Sequence, residues 1–175
     1  MPNLRTGQDA GSRCECSTDL PSYISGYVDG EGCFTVSISP RRTLRVGWEV
    51  RPSLSVSQNS DRSEVLLEIQ TYFDCGTLRP DRSDKTLKWE VRSLPLLVER
   101  VVPHFRRYPL RSGKQRDFEA FARIVRAMSG GVHLQQDGLA ALVTEALSMN
   151  GGGRYRRTRE AIVSGILRDH MPNIV

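Results

Sequence analysis

Hydrophobic and polar residues alternate along this chain with two different periods, and each change of period marks an element. Phe34, Val36 and Ile38 alternate with Thr35, Ser37 and Ser39, which predicts a strand with one face buried. Arg41, Arg42 and Thr43 make a basic turn. A return strand follows over residues 46–58, with Val50, Leu54 and Val56 inward and Glu49, Arg51, Ser53, Ser55 and Ser57 outward. The period then lengthens. Val65, Leu66, Ile69 and Phe73 form a helical stripe closed by Gly76, and Asp61 with Glu64 three residues on resembles a capping box at its start. Thr77, Leu78 and Arg79 open a second hairpin, which turns over residues 81–85. It returns over 86–92 with Trp89 and Val91 inward and Lys88, Glu90 and Arg92 outward. Ser93 can cap a short helix through Leu96, Leu97 and Val101, and Ser112 a longer one carrying Phe118, Phe121, Ile124 and Val125. Two further helices are expected over residues 134–149 and 158–167.

A short helix precedes the first strand. Asp19 or Thr18 caps it, Pro21 sits in its first turn where the missing N–H costs nothing, and Gly32 is expected to end it in the left-handed conformation. The order helix, hairpin, helix, hairpin, helices predicts an α+β fold: αββαββα, with a four-stranded antiparallel sheet and helices on one face. The other face would be lined by Thr, Ser, Arg, Lys and Glu. It is either a solvated surface or a saddle for the DNA major groove, which admits a two-stranded ribbon. Residues 1–18 are polar and without period and read as a flexible tail. Residues 19–170 read as one domain, and no internal repeat is visible.

Lys and Arg outnumber Asp and Glu by 25 to 20, a net charge of +5, which favours a polyanionic partner without identifying it. The distribution is more informative. Arg41, Arg42, Arg45 and Arg51 surround the first hairpin. Arg100, Arg106, Arg107, Arg111, Lys114 and Arg116 form a second group, and Arg154, Arg156, Arg157 and Arg159 a third. The third group follows Gly151–Gly153 and reads equally as a DNA-flank contact or a basic linker. No apolar run approaches the roughly 20 residues needed to span a bilayer, so no membrane partner is expected. The four cysteines, Cys14, Cys16, Cys33 and Cys75, lack zinc-ligand spacing. Free thiols in a reducing compartment are expected, in a bacterial cytoplasm or an organelle rather than outside the cell, with Cys33 and Cys75 in or near the core.

The first helix ends unusually. Asp29 and Glu31 lie in its last turn, where the helix dipole is negative and an acid is disfavoured by roughly 0.3–1 kcal/mol. Something positive is expected there. Gly26 and Gly30 are four apart and share a helical face that Ser25 adjoins. Glycine inside a helix costs about 1 kcal/mol relative to alanine, and close approach by another helix would offset that.

Residues Ile24 to Gly32, reading ISGYVDGEG and followed by Cys33-Phe34 and a strand, resemble the motif of the LAGLIDADG homing endonucleases. Later segments resemble the single-motif branch: Ser55 to Gln58, Trp89 to Val91, Tyr108 to Gln115, and residues 133–151. The resemblance implies a saddle sheet, a homodimer joined at the motif helices through Ser25, Gly26, Asp29 and Gly30, and double-stranded DNA as partner. It implies site-specific, metal-dependent cleavage of a long near-palindromic site, leaving 3′ overhangs, by an intron-encoded enzyme. Mg²⁺ is the expected cofactor, with Mn²⁺ as a substitute, held by Glu31 and the Gly30 carbonyl. Asp29 either orients the metal site or packs the helix end. Gln58 falls on a residue that holds water near the metals, and Lys114 on a basic residue near the scissile phosphate, so Glu31, Gln58 and Lys114 form the expected catalytic set. Base contacts are expected from Thr35, Ser37, Ser39, Arg41, Arg51, Ser53, Ser55, Arg79, Lys88 and Arg92, and phosphate contacts from Arg42, Arg45 and Arg82. The competing reading is a non-cleaving DNA- or RNA-binding protein of the same fold, a regulator or an intron maturase.

Overall fold

The computed structural model describes residues 19–81, 84–149 and 159–168. The expected tail over residues 1–18, Arg82, and the basic segment over 150–158 lie outside the described residues. Helix α1 (Leu20–Glu31) starts at Asp19 with Pro21 in its first turn, but the Asp19 side chain accepts from the Ser22 hydroxyl instead of a backbone N–H. Its end corrects the expectation for Gly32, which is extended, with φ −81° and ψ 159°. Glycine is required there for space. A Cβ would lie 2.5 Å from Val28 Cγ1 and 2.7 Å from the Val28 carbonyl oxygen, so the chain turns from helix to strand closer than any side chain allows.

Strands β1 (Gly32–Pro40) and β2 (Trp48–Asn59) pair antiparallel with Phe34 opposite Leu54 and Ile38 opposite Val50, so apolar side chains stack on one face. Helix α2 (Glu64–Phe73) follows a 3₁₀ turn at Ser60–Arg62. The expected capping box does not form, because Asp61 lies within that turn and Ser63, at the N-cap, donates to the Ser60 carbonyl at 3.1 Å. Strands β3 (Thr77–Asp81) and β4 (Thr86–Val91) complete a sheet of order β1-β2-β4-β3, antiparallel throughout. β3 is an outer edge of five residues, four of them exposed, and Pro80 within it has no N–H.

A helical run over residues 94–107 then comprises α3 (Leu94–Leu96), a wider π turn (Leu97–Val101) and α4 (Val102–Arg107). Helices α5 (Lys114–Ser129), α6 (Gln136–Ala146) and α7 (Arg159–Arg168) follow. The core lies between these helices and one face of the sheet. The Phe34 ring meets those of Phe105, Phe118 and Phe121 at centroid distances of 5.4, 5.4 and 5.2 Å. Burying such a ring is worth about 1.5–3 kcal/mol, so this contact seats β1 on α4 and α5. Trp89 stacks on Phe73 at 5.4 Å and donates its indole N–H to the Cys75 carbonyl at 3.0 Å. Gly76, at φ +87°, leaves room for it, since a Cβ there would lie 2.4 Å from Trp89 Nε1. Cys33 departs from expectation. It opposes Ser55 on the open face of the sheet and is exposed, while Cys75 is half-buried.

Candidate functional site

Helix α1 ends where helix α5 begins, and the two ends exchange charges. Each helix end leaves backbone groups unpaired, N–H at the start and C=O at the finish. Asp29, in the last turn of α1, accepts from the backbone N–H of Arg111 and of Ser112 at 2.9 Å each, and from the Ser112 hydroxyl. Lys114, in the first turn of α5, donates its ammonium protons to the carbonyls of Val28, Gly30 and Gly32 at 3.0, 3.3 and 2.6 Å. Each charge sits at the unfavourable end of its own helix and the favourable end of the other. The cation expected at this helix end is therefore Lys114, which meets its carbonyls and lies close enough to Asp29 to act on its charge. Burial pushes the Asp29 carboxyl up, but the Ser112 hydroxyl, the two amides and the Lys114 charge outweigh it and hold it below the usual carboxylate range.

Glu31 stands apart from this exchange. It is exposed, and among the described residues no side chain or backbone group pairs with it. It directly follows the Gly30 carbonyl that Lys114 holds. Gln58 reaches α1 from the end of β2, donating to the Tyr27 hydroxyl at 2.7 Å, while its own carbonyl oxygen accepts from Asn59 N at 2.8 Å. An amide has two donors and two lone pairs, so Gln58 keeps one donor and one lone pair for other partners. Among the described residues there is no group of three or more His, Cys, Asp or Glu placed to hold a metal ion.

The two faces of α1 differ sharply. Ile24 and Val28 are fully buried. Gly26 and Gly30 are exposed, and a Cβ on either would meet nothing within 4 Å. Tyr23 and Tyr27 flank them with ring centroids 6.1 Å apart. Ser25, expected at a contact between copies, is turned inward at 4% exposure. It donates to the Tyr108 carbonyl at 2.7 Å and lies 3.1 Å from His104 Nε2. Its only proton is used on Tyr108, so His104 Nε2–H donates to it, and Tyr72 donates to Nδ1 at 3.0 Å. Burial drops the His104 pKa to about 4, which keeps this buried network neutral.

The open face of the sheet carries most of the residues expected to read bases. Arg51 opposes Ser37, Thr35 opposes Ser53, and Arg79 opposes Lys88. Ser39 is exposed near the hairpin tip, opposite Glu49. Ser53 and Ser55 are not free to read bases. They are 6% and 7% exposed, with the Thr35 and Ser53 hydroxyls bonded at 2.8 Å, and they form the floor under longer side chains. Arg42 and Arg45 face a cleft beside α7, and Arg45 donates to the Leu134 carbonyl at 3.0 Å, tying the hairpin tip to the helical layer. Two acids that sequence reasoning passed over join the basic residues. Glu49 pairs with Arg41 and, at 2.7 Å, with Arg51, while Glu90 pairs with Arg92 at 2.8 Å and Lys88 at 3.8 Å. The alternation Lys88, Glu90, Arg92 on one strand face was the signal that could have found the second pair.

A model of the LAGLIDADG endonuclease family matches residues 24–125. The probable intron-encoded endonuclease 2 of Neurospora crassa is 30% identical over 156 residues, covering 89% of this chain and 32% of that protein. Homing endonuclease I-ApeII of Aeropyrum pernix is 36% identical over 107 residues, 61% of this chain and 62% of that protein. The crystal structure of the homing endonuclease I-TnaI shares the fold with a TM-score of 0.73 and 33% identity, over 85% of this chain and 96% of that one. That of the I-LtrWI LAGLIDADG homing endonuclease bound to target DNA does so at 0.75 and 29%, over 88% of this chain and 49% of that one. Sheet order, the carboxylate at the foot of α1 and these matches agree: the chain belongs to the LAGLIDADG endonuclease family. It spans about a third of the length of the Neurospora relative.

Proposed function

We propose that this chain is a site-specific, metal-dependent DNA endonuclease of the homing type, acting as a homodimer on a long, near-palindromic duplex. The observation that carries this reading is Glu31, an exposed acid at the foot of α1 with no partner in its own chain among the described residues, beside an open Gly26–Gly30 face. One carboxylate cannot hold the metals of a two-metal hydrolysis. Two copies packed through that face would place two such acids together, with twofold symmetry to match the DNA.

The donor set suits Mg²⁺, with Mn²⁺ as a substitute: a carboxylate and a backbone carbonyl are hard oxygen ligands. Glu31 and the Gly30 carbonyl would hold the ion, which when bound would stabilise charge on the attacking and leaving oxygens of the phosphodiester. The remaining work falls to the chain. Lys114 has all three ammonium protons committed to carbonyls. It is therefore a fixed positive charge that steadies the turn carrying Glu31, not a proton shuttle. Asp29 positions Lys114 by seating the start of α5. Gln58 offers its spare donor and lone pair to order water. Arg41, Arg51, Arg79, Lys88 and Arg92 on the open face meet base edges and phosphates. Cleavage is staggered, leaving 3′ overhangs.

The names of relatives support an intron-encoded origin. No helix among the described residues is long and apolar enough to cross a membrane, which suits a DNA substrate in an organelle or cytoplasm. The test is cleavage of a randomised duplex library with Mg²⁺, sequencing the cut ends beside a Glu31→Gln control. Cuts at one long near-palindromic sequence that vanish in the control support the reading. Enrichment of bound duplex with no cuts by the wild type overturns it in favour of a non-cleaving DNA- or RNA-binding protein.

A further inference from the structure

We propose that Glu49 and Glu90 are the specificity-determining acids of the open sheet face: each clamps two basic side chains, so that the bases read DNA edges from fixed poses instead of collecting phosphates. This rests on the reading of that face as a duplex-binding surface.

The same arrangement occurs twice, in different hairpins. On the first, Glu49 lies between Arg41 and Arg51 and contacts both. On the second, Glu90 on β4 lies between Lys88 and Arg92, the residue that follows the strand, and contacts both. In each case the acid is the more buried partner. The Glu49 side chain is 18% exposed and that of Glu90 6%, whereas those of Arg41, Arg51, Lys88 and Arg92 are 41–56% exposed. The acids therefore lie in the floor and the cations stand over them. Glu90 is wedged opposite Ser55 on one side and Thr77 on the other, in the middle of the sheet.

The hydrogen-bond arithmetic leaves the arginines able to read. A guanidinium has five N–H groups in a planar fork. Arg51 and Arg92 each meet their acid through one terminal nitrogen, Nη2. A guanidinium has two bidentate edges, Nε with Nη2 and Nη1 with Nη2, so an acid on one Nη2 proton leaves the other edge to pair with O6 and N7 of a guanine. A clamped arginine cannot swing toward whichever phosphate is nearest, so its contact depends on the base beneath it. Two negative charges in the floor also weaken attraction to any duplex, and sequence-independent affinity is set by that attraction. Both effects raise the ratio of specific to non-specific binding at the expense of total affinity.

The test uses the full chain with Glu49→Gln, Glu90→Gln and Arg51→Gln. Sites are selected from a randomised duplex library, and binding to an unrelated duplex is measured across a salt series. The proposal expects Glu49→Gln to bind the unrelated duplex more tightly, with a log–log salt slope steeper by about 1 to 2 as freed cations take phosphates. It expects the base preference to weaken about tenfold at the positions where Arg51→Gln also loses it, as the loss of one bidentate pair would. An unchanged slope and unchanged preferences in Glu49→Gln overturn the proposal while leaving the nuclease reading intact. A wild type that selects no duplex sequence overturns both. Should Glu90→Gln fail to fold, as its burial allows, the more exposed Glu49 decides the matter alone. Thermal unfolding of each variant separates a lost clamp from a damaged fold, because local unfolding lowers affinity for all duplexes and does not steepen the slope.

Discussion

Replacing Asp29 by asparagine tests the exchange of charges between α1 and α5 with almost no change of shape. The carboxylate accepts two backbone N–H groups at 2.9 Å on one oxygen and the Ser112 hydroxyl on the other. Asparagine can place its single oxygen on the two amides, but its NH₂ then faces Ser112. The hydroxyl must reverse its proton while still accepting Lys114 N at 3.1 Å. Hydrogen bonds to a charged acceptor contribute about 1.5–3 kcal/mol and neutral ones about 0.5–1.5. Two amides downgraded in this way lose about 2 kcal/mol together, near the upper end measured for lost N-caps. For a chain of this size that lowers Tm by about 4–8 °C. The pH dependence gives a second check. The Asp29 carboxyl is held below its ordinary value of 3.8. Its stabilisation is therefore complete above that value and fades as pH falls further, where the wild-type carboxyl takes up a proton. The gap between wild type and Asp29→Asn, measured by urea unfolding, should be full at pH 7 and close below about pH 4. A variant within about 1 °C of wild type at pH 7 would refute the reasoning, as would a gap that stays constant into acid.

Three further outcomes are expected. Glu31→Gln should abolish cleavage while leaving Tm within about 2 °C and duplex binding intact, because a surface change away from packed groups moves stability by no more than about 0.5 kcal/mol; calorimetry and a gel-shift assay check this. His104 should make the fold acid-sensitive. Its pKa is about 4 when folded against 6.5 for the free side chain, so stability is complete above pH 6.5 and falls by up to about 3 kcal/mol as pH drops to 4, read from urea midpoints at stepped pH. Gly26→Leu should leave each chain folded, since nothing lies within 4 Å of the added Cβ, but should yield monomers in light scattering after size exclusion, against the dimers that the proposed function expects of the wild type.

Alternation and period carried most of the fold. The inward residues Phe34, Leu54, Val56, Trp89 and Val91 are all buried. Antiparallel pairing within each hairpin followed from its short connection, because no crossover could fit between its two strands; the central β2–β4 pairing joins strands separated by α2 and β3, and no local pattern encodes it. Glu31 was legible as an acid in an unfavourable place. The answer to that anomaly was not, since Asp29 and Lys114 act on partners 82 to 86 residues away, and no local pattern encodes such a distance. Ser25 failed for the same reason. Its spacing placed it beside the glycine face, but His104 and Tyr108 draw it inside. Arg42 and Arg45 looked like free basic turn residues until the helical layer supplied a carbonyl and a cleft for them. Helix caps were the least legible feature. At α1 the Asp19 side chain takes the Ser22 hydroxyl instead, and at α2 Ser63 occupies the cap position and bonds the Ser60 carbonyl, because short polar residues in a turn have several such partners within reach.

The outer strand β3 bears on how this protein behaves when crowded. An exposed strand edge is a template on which another chain can lay a strand and extend the sheet, the first step toward aggregation. Here the edge is only five residues long, and Pro80 within it has no proton to donate to an incoming strand. Arg79 and Asp81 flank that proline with opposite charges. A newcomer would have to match both while leaving a gap in its ladder. On this edge the sheet therefore resists a fifth strand, and β3 is a poor template for seeding fibres.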